Sequence, residues 1–62
     1  MDPALLNKRD ACKYLGGISE RTLMEHVYAG RLNAKKLGAR VVFEVAELRR
    51  FVAELPSWEP QS

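Results

Sequence analysis

The chain has 62 residues, of which 47% are hydrophobic and 29% are charged, so it has room for one small domain. A chain of this size buries roughly 60% of the surface that it exposes when unfolded, which leaves its stability marginal. Ten basic and eight acidic residues give a net charge of +2. That excess is too small to show whether the protein binds an acidic partner. The question has to be answered from where the charges lie in the sequence.

The composition argues against several classes of protein. The single Cys, Cys12, rules out an intramolecular disulfide, and the single His argues against a zinc site built from protein ligands. No apolar run approaches the length of a membrane span, and the N-terminal residues lack the pattern of a signal peptide. We therefore expect a cytoplasmic protein with no metal, no other cofactor and no small-molecule substrate.

The first periodic segment predicts a short helix after a frayed start at Asp2-Pro3. Asn7 can act as its N-cap by accepting a hydrogen bond from an unpaired N–H of the first turn. Residues 8–15 then follow a helical period. The apolar face of this helix is formed by Ala11, Tyr14 and Leu15, with Cys12 at its border.

Gly16-Gly17 interrupts the helical pattern with a tight turn that leads directly into a second helix. Ser19 is the expected N-cap of this helix, and Gly30 is the expected C-terminal cap, where a left-handed conformation costs glycine least. Leu23 and Val27 are four residues apart and so share the buried face. The order helix, glycine turn, helix is the helix-turn-helix layout.

The pattern then changes from a helical period to a strand period. Residues 32–37 and 40–43 flank Gly38-Ala39, which predicts a two-stranded hairpin with a tight turn. An isolated hairpin is barely stable in water, so its apolar residues are expected to pack on the helices. These residues are Leu37, Val41 and Phe43.

A third helix is predicted over residues 45–55, with Glu44 a poor cap and Pro56 the stop. Its expected outer face carries the charged residues Glu47, Arg49, Arg50 and Glu54. The predicted fold is mainly α with a small β-hairpin, and the domain spans residues 1–55. Residues 56–62 are expected to form an irregular tail in which Trp58 covers the small core, or alternatively anchors a protein partner.

Several short motifs mark the ends of these elements: A-x-x-Y-L-G closes the first helix, I-S-x-R-T-L opens the second, and A-G-x-L follows it before a single-glycine hairpin. With this order of elements, residues 5 to 55 or so resemble the excisionase family. Its members are MerR-like winged helix-turn-helix DNA-binding proteins, many of them recombination directionality factors of phages and integrative elements. The resemblance implies a winged helix-turn-helix fold, in which the hairpin is the wing.

The resemblance also implies how such a protein acts. Several copies bind adjacent sites on double-stranded DNA, bend it, and favour the complex in which a cognate integrase excises an element. The same resemblance implies that the protein lies in the bacterial cytoplasm, at the nucleoid. It also implies that the protein has no active site. Two departures bear on DNA binding: Gly16-Gly17 is one residue longer than the commonest turn of the family, and Ala39 and Val42 stand where many relatives are more basic or aromatic.

The second helix carries the candidate base-reading residues, because a helix in the major groove reaches base edges with its N-terminal side chains. Arg21 could bind guanine or a phosphate, and Glu20 could accept a hydrogen bond from a cytosine amine at some cost in affinity. The alternative is an ordinary amphipathic helix with a solvated face. The candidates are Ser19, Glu20, Arg21, Thr22, Met24, Glu25 and His26.

The predicted hairpin carries a cationic cluster of Lys35, Lys36 and Arg40. These residues are expected along a neighbouring minor groove or its phosphates, although basic residues also serve simply to keep an edge strand soluble. The cations of the first helix could contact the DNA backbone, but a solvated face is the preferred interpretation: Lys8, Arg9 and Lys13.

Two other functions share this sequence pattern. A small MerR-like transcription regulator would use the same domain, and a protein-interaction adaptor would keep the fold without DNA binding. Catalysis is not expected, because Cys12 and His26 belong to different predicted helices and no third group orients them. The DNA hypothesis requires the varied side of the second helix and the hairpin tip to face the same way.

Overall fold

The protein is described by a computed structural model that covers residues 4–58 and 60. The expected frayed start at Asp2-Pro3 and tail positions 59, 61 and 62 lie outside the described residues. None of the described helices is both long and apolar enough to cross a membrane. The elements are β1 (Leu5–Asn7), α1 (Lys8–Tyr14), α2 (Glu20–Tyr28), β2 (Lys35–Leu37), β3 (Arg40–Glu44) and α3 (Val45–Ala53).

The sheet has three antiparallel strands in the order β1-β3-β2, so β3 is central. The predicted two-stranded hairpin is present, but the sequence interpretation missed β1. Leu6 lies opposite Phe43 and Asn7 lies opposite Val42. Three residues are too few for the alternation of a strand to show in the sequence, and their pairing depends on a partner strand more than thirty residues away.

The expected helix caps are confirmed. Asn7 Oδ1 accepts a hydrogen bond of 2.8 Å from the Asp10 N–H, and Ser19 Oγ accepts one of 3.1 Å from the Thr22 N–H. Gly17, with φ of +86°, donates its N–H to the Cys12 carbonyl over 2.8 Å. This arrangement satisfies a carbonyl at the end of α1 and turns the chain into α2 within a few residues.

The core joins every helix to the central strand. Leu23 from α2, Phe43 from β3 and Leu48 from α3 are fully buried. α1 packs against α2, β1 and β3, whereas α3 packs against β3. The complete cluster of buried residues is Ala11, Cys12, Leu23, Leu32, Phe43, Leu48 and Phe51.

Three expectations about burial were wrong. Tyr14 is 42% exposed, Leu37 is 59% exposed and Trp58 is 84% exposed. Leu37 pairs with Arg40 beside the hairpin turn, and this register places it on the face of the sheet opposite to the buried Phe43, away from the core. Trp58 follows the end of α3 without returning to the core, so it does not cover it.

The predicted outer face of α3 instead carries a polar clamp, formed by Glu47 and Arg50 with the loop before β2. The Glu47 side chain is only 14% exposed, and its Oε2 accepts a hydrogen bond of 2.9 Å from the Asn33 N–H. Arg50 Nε donates to Glu47 Oε1 over 2.8 Å, and Arg50 Nη2 donates to the Arg31 carbonyl over 3.0 Å. The clamp therefore ties the loop that leads into the hairpin to α3.

Charge pairing at the clamp changes the acidity of its carboxylate. The hydrogen bond from Arg50, followed by that from the Asn33 N–H, lowers the pKa of Glu47 from its ordinary 4.5 to about 2. A lowered pKa in the folded state means that the ionised carboxylate stabilises the fold at neutral pH. This contribution is lost as the pH falls from about 4.5 towards 2.

Leu23→Ala is expected to lower the free energy of unfolding by roughly 2 to 5 kcal/mol, because it leaves a cavity at a fully buried position. Thermal and urea unfolding followed by circular dichroism measure the loss. Tyr28→Ala, on the same helix but at a side chain 82% exposed, is the control and should change stability by less than about 0.5 kcal/mol. Normal melting of the Leu23 variant would mean that α2 is rotated differently.

Glu47→Gln is expected to lower stability by about 1 to 3 kcal/mol at pH 7, because the clamp loses its charged acceptor. The difference from the wild type should shrink towards pH 2 to 3, where Glu47 itself becomes protonated. Urea unfolding across this pH range measures it. Glu54→Gln, on an exposed partner of Arg50, is the matched control and should cost less than about 1 kcal/mol. If the difference in stability between the wild type and Glu47→Gln did not change with pH, the lowered pKa of Glu47 would be contradicted.

Candidate nucleic-acid interface

The N-terminal half of α2 presents an open polar face. The Ser19 hydroxyl caps the helix and donates a hydrogen bond of 3.0 Å to Thr22 Oγ1, so both side chains are held at the start of the helix. The Arg21 side chain is 90% exposed, and its Nε lies 3.5 Å from Glu25 Oε1 one turn later. Such an exposed pair is weak and leaves the guanidinium available to another anion.

Two candidates on the same helix lie in a different environment. Met24 is partly buried and packs against the core cluster. The His26 ring meets the Phe51 ring edge-on at 5.0 Å, and its Nδ1 accepts a hydrogen bond of 3.3 Å from Arg31 Nε. Both residues therefore already have contacts within the domain, and their role in DNA binding stays a prediction.

Three separate segments of the chain line one open groove with a volume of about 510 Å³. We call it the basic groove; its lining comprises Asn7, Lys8, Arg9, Glu20, Ala39, Arg40 and Val41. Glu20 at the start of α2 and Arg40 of the hairpin thus share one concave surface. Glu20 is the one candidate of the second helix in this lining, so the groove brings the start of α2 beside the hairpin tip, and DNA contact by the rest of the helix face stays a prediction.

Lys8 and Arg9 line the basic groove, although the sequence interpretation preferred a solvated face for them over contact with the DNA backbone. They directly follow Asn7, and the pairing of Asn7 with Val42 brings the start of α1 beside the hairpin. The feature of the sequence that could have pointed to their place in the groove is a pair of adjacent cations directly after a predicted N-cap. Their neighbourhood with Arg40 depends on the β1–β3 pairing, which no local pattern predicts.

The three hairpin cations do not form one cluster: Lys35 shares a face of the sheet with Arg40, and Lys36 lies on the other face. Lys35 lies opposite Val42 and Lys36 lies opposite Val41, so the two lysines project from opposite faces of the sheet. Lys35 Nζ lies 2.8 Å from Glu44 Oε1, and this hydrogen bond raises the pKa of Lys35. The lining of the basic groove includes Arg40 and neither of the lysines.

Cys12 is part of the core, and its chemistry follows from that place. Burial, with a smaller contribution from the charge of Glu20, raises the pKa of the Cys12 thiol, so the sulfur remains a neutral thiol at physiological pH. Within residues 4–58 and 60, no three His, Cys, Asp or Glu side chains come together as possible metal ligands.

Comparison with known families identifies the class of the domain. Residues 5–56 match a family described as a helix-turn-helix domain, and the protein belongs to that family. Membership implies a DNA partner and a role that is typically non-enzymatic. No curated protein and no solved structure matches the chain.

Arg40→Ala is expected to weaken binding to duplexes of any sequence and to reduce the slope of log affinity against log salt concentration by about one contact. Fluorescence anisotropy with a labelled duplex, titrated from low to high salt, measures both. Arg49→Ala removes an equal charge from an exposed position of α3 outside the basic groove and is the control. An unchanged slope in the Arg40 variant would remove Arg40 from the phosphate contacts.

Proposed function

We propose that the protein is an excisionase: it binds and bends attachment-site DNA and so directs a cognate integrase towards excision. The observation that carries the proposal is the shared groove of α2 and the hairpin, which joins Glu20 and Arg40 on one surface. The motif resemblance over residues 5 to 55 or so supplies the excisionase role within the broader helix-turn-helix family.

The proposed binding mode uses both parts of this surface. The start of α2 enters the major groove, and the hairpin follows the adjacent phosphates or minor groove. The first-turn side chains Ser19, Arg21 and Thr22 are exposed or half-buried, which supports this mode. Contacts on two successive grooves offset part of the cost of deforming the duplex, so the same surface favours bent DNA.

Cooperation between neighbouring copies is part of the proposal. A single domain of this size would make roughly three to five phosphate contacts and would bind weakly at physiological salt. Copies on adjacent sites would stabilise one another if they also touched. The exposed apolar side chains after the middle of α3 are suited to such a contact: Val52, Leu55 and Trp58.

A small transcription regulator is the alternative within the same class. It would use the same groove on DNA, so its binding would respond to the same substitutions, and only the consequence for the DNA would differ. An adaptor without DNA binding, the second alternative, predicts little affinity for duplexes even at low salt. The cations that line the basic groove favour the two DNA-binding functions over the adaptor.

The excision assay tests the function directly. The protein is added to the integrase of the genetic element that carries its gene, with that element's attachment-site DNA, and excised product is measured together with a footprint. An excisionase raises excision and protects adjacent sites next to the recombination point. Arg40→Ala should reduce product and protection together, whereas Arg49→Ala should reduce neither. Protection near a promoter without any effect on excision would favour the regulator.

A further inference from the structure

We propose that Glu20 selects a cytosine in the DNA target, while the cations around it in the basic groove hold phosphates. This inference rests on the proposed DNA binding and names what that surface recognises. The Glu20 carboxylate would accept a hydrogen bond from the amino group at N4 of a cytosine. Lys8, Arg9 and Arg40 line the same groove and would neutralise the phosphates on either side.

The first observation is that the Glu20 carboxylate forms no ion pair with any of the described residues. Within residues 4–58 and 60, no cation lies at ion-pair distance from its carboxylate, although the groove around it is lined by cations. The other carboxylates of this part of the chain, apart from Asp10, are paired. The pairs are Glu25 with Arg21, Glu44 with Lys35, and both Glu47 and Glu54 with Arg50.

The second observation concerns the position of Glu20 in the helix. It is the first residue of α2, directly after the Ser19 cap, and this end of a helix reaches base edges when the helix lies in the major groove. The positive end of the helix dipole and the nearby cations reduce the cost of placing a carboxylate near phosphates. A side chain at this point can therefore enter the groove although it carries the charge of the DNA backbone.

The chemistry of a carboxylate then identifies the base. An ionised carboxylate only accepts hydrogen bonds. In the major groove guanine presents two acceptors, thymine presents one acceptor, and adenine sets its amino group beside the acceptor N7. Cytosine alone presents a donor with no acceptor next to it on the same base. Phosphate oxygens repel the carboxylate, so Glu20 contributes to the choice of sequence and not to general affinity.

An acid in the first turn of a helix also stabilises that helix, so the test has to separate this effect from base selection. Asp10 is the matched control: it lies in the first turn of α1, forms no ion pair within the described residues, and is absent from the lining of the basic groove. Asp10→Asn removes the same charge from the first turn of a helix without touching the proposed contact.

The experiment is selection of bound duplexes from a randomised library by the wild-type protein, Glu20→Gln and Asp10→Asn, each first checked for folding by circular dichroism. The wild type should recover a site with one cytosine preferred over other bases by roughly 5- to 150-fold. Glu20→Gln should lose most of this preference at that position alone and should bind random duplexes more tightly. Asp10→Asn should keep the preference.

A second variant keeps the proposal testable if Glu20→Gln fails to fold. Glu20→Asp retains the charge and the acidic first turn but shortens the side chain, so the cytosine preference should fall while the salt dependence stays the same. Identical base preferences in the wild type and both Glu20 variants would overturn the assignment while leaving DNA binding intact. An equal loss of the cytosine preference in Asp10→Asn would mean that Glu20 acts through its charge alone and does not select the base. Absence of duplex binding by the wild type at low salt would instead refute the proposed function, and this inference with it.

Discussion

Burial of Phe43 is the constraint on which the other contacts of this domain depend. Phe43 lies in the central strand, between β1 and β2, and shares the core cluster with Leu23 of α2 and Leu48 of α3. Full burial of a side chain of this size contributes roughly 1.5 to 3 kcal/mol, a large share of the stability available to 62 residues. The same contacts fix where α2 stands relative to the hairpin, so stability and the shape of the interface have one origin.

The distribution of charge explains how a chain with a net charge of only +2 can present a cationic surface. Lys35 is paired with Glu44, and Arg50 is committed to the clamp with Glu47 and the Arg31 carbonyl. These cations stabilise the hairpin and the loop that leads into it. The cations of the basic groove face an open concave surface instead, and it is this local excess, not the total, that would attract DNA.

The basic groove is assembled from the starts of two helices and the tip of the hairpin, which are distant in sequence. Its shape therefore depends on β1, whose three residues place the start of α1 beside β3. A short edge strand thus has a functional consequence, since without it Lys8 and Arg9 would belong to an ordinary solvated helix. The clamp at Glu47 has a comparable effect at the other end of the hairpin, because it holds the loop before β2 against α3.

The sequence alone determined the features that depend on neighbouring residues: the caps at Asn7 and Ser19, the three helices, the hairpin and the helix-turn-helix class. These follow from hydrogen bonds and side-chain periods within a few residues. Only the tertiary structure decided the third strand, the inward place of Glu47, and the exposure of Leu37 and Trp58. Each of these depends on which distant segment lies alongside, and strand pairing and core packing fix that choice across intervals that no local pattern spans.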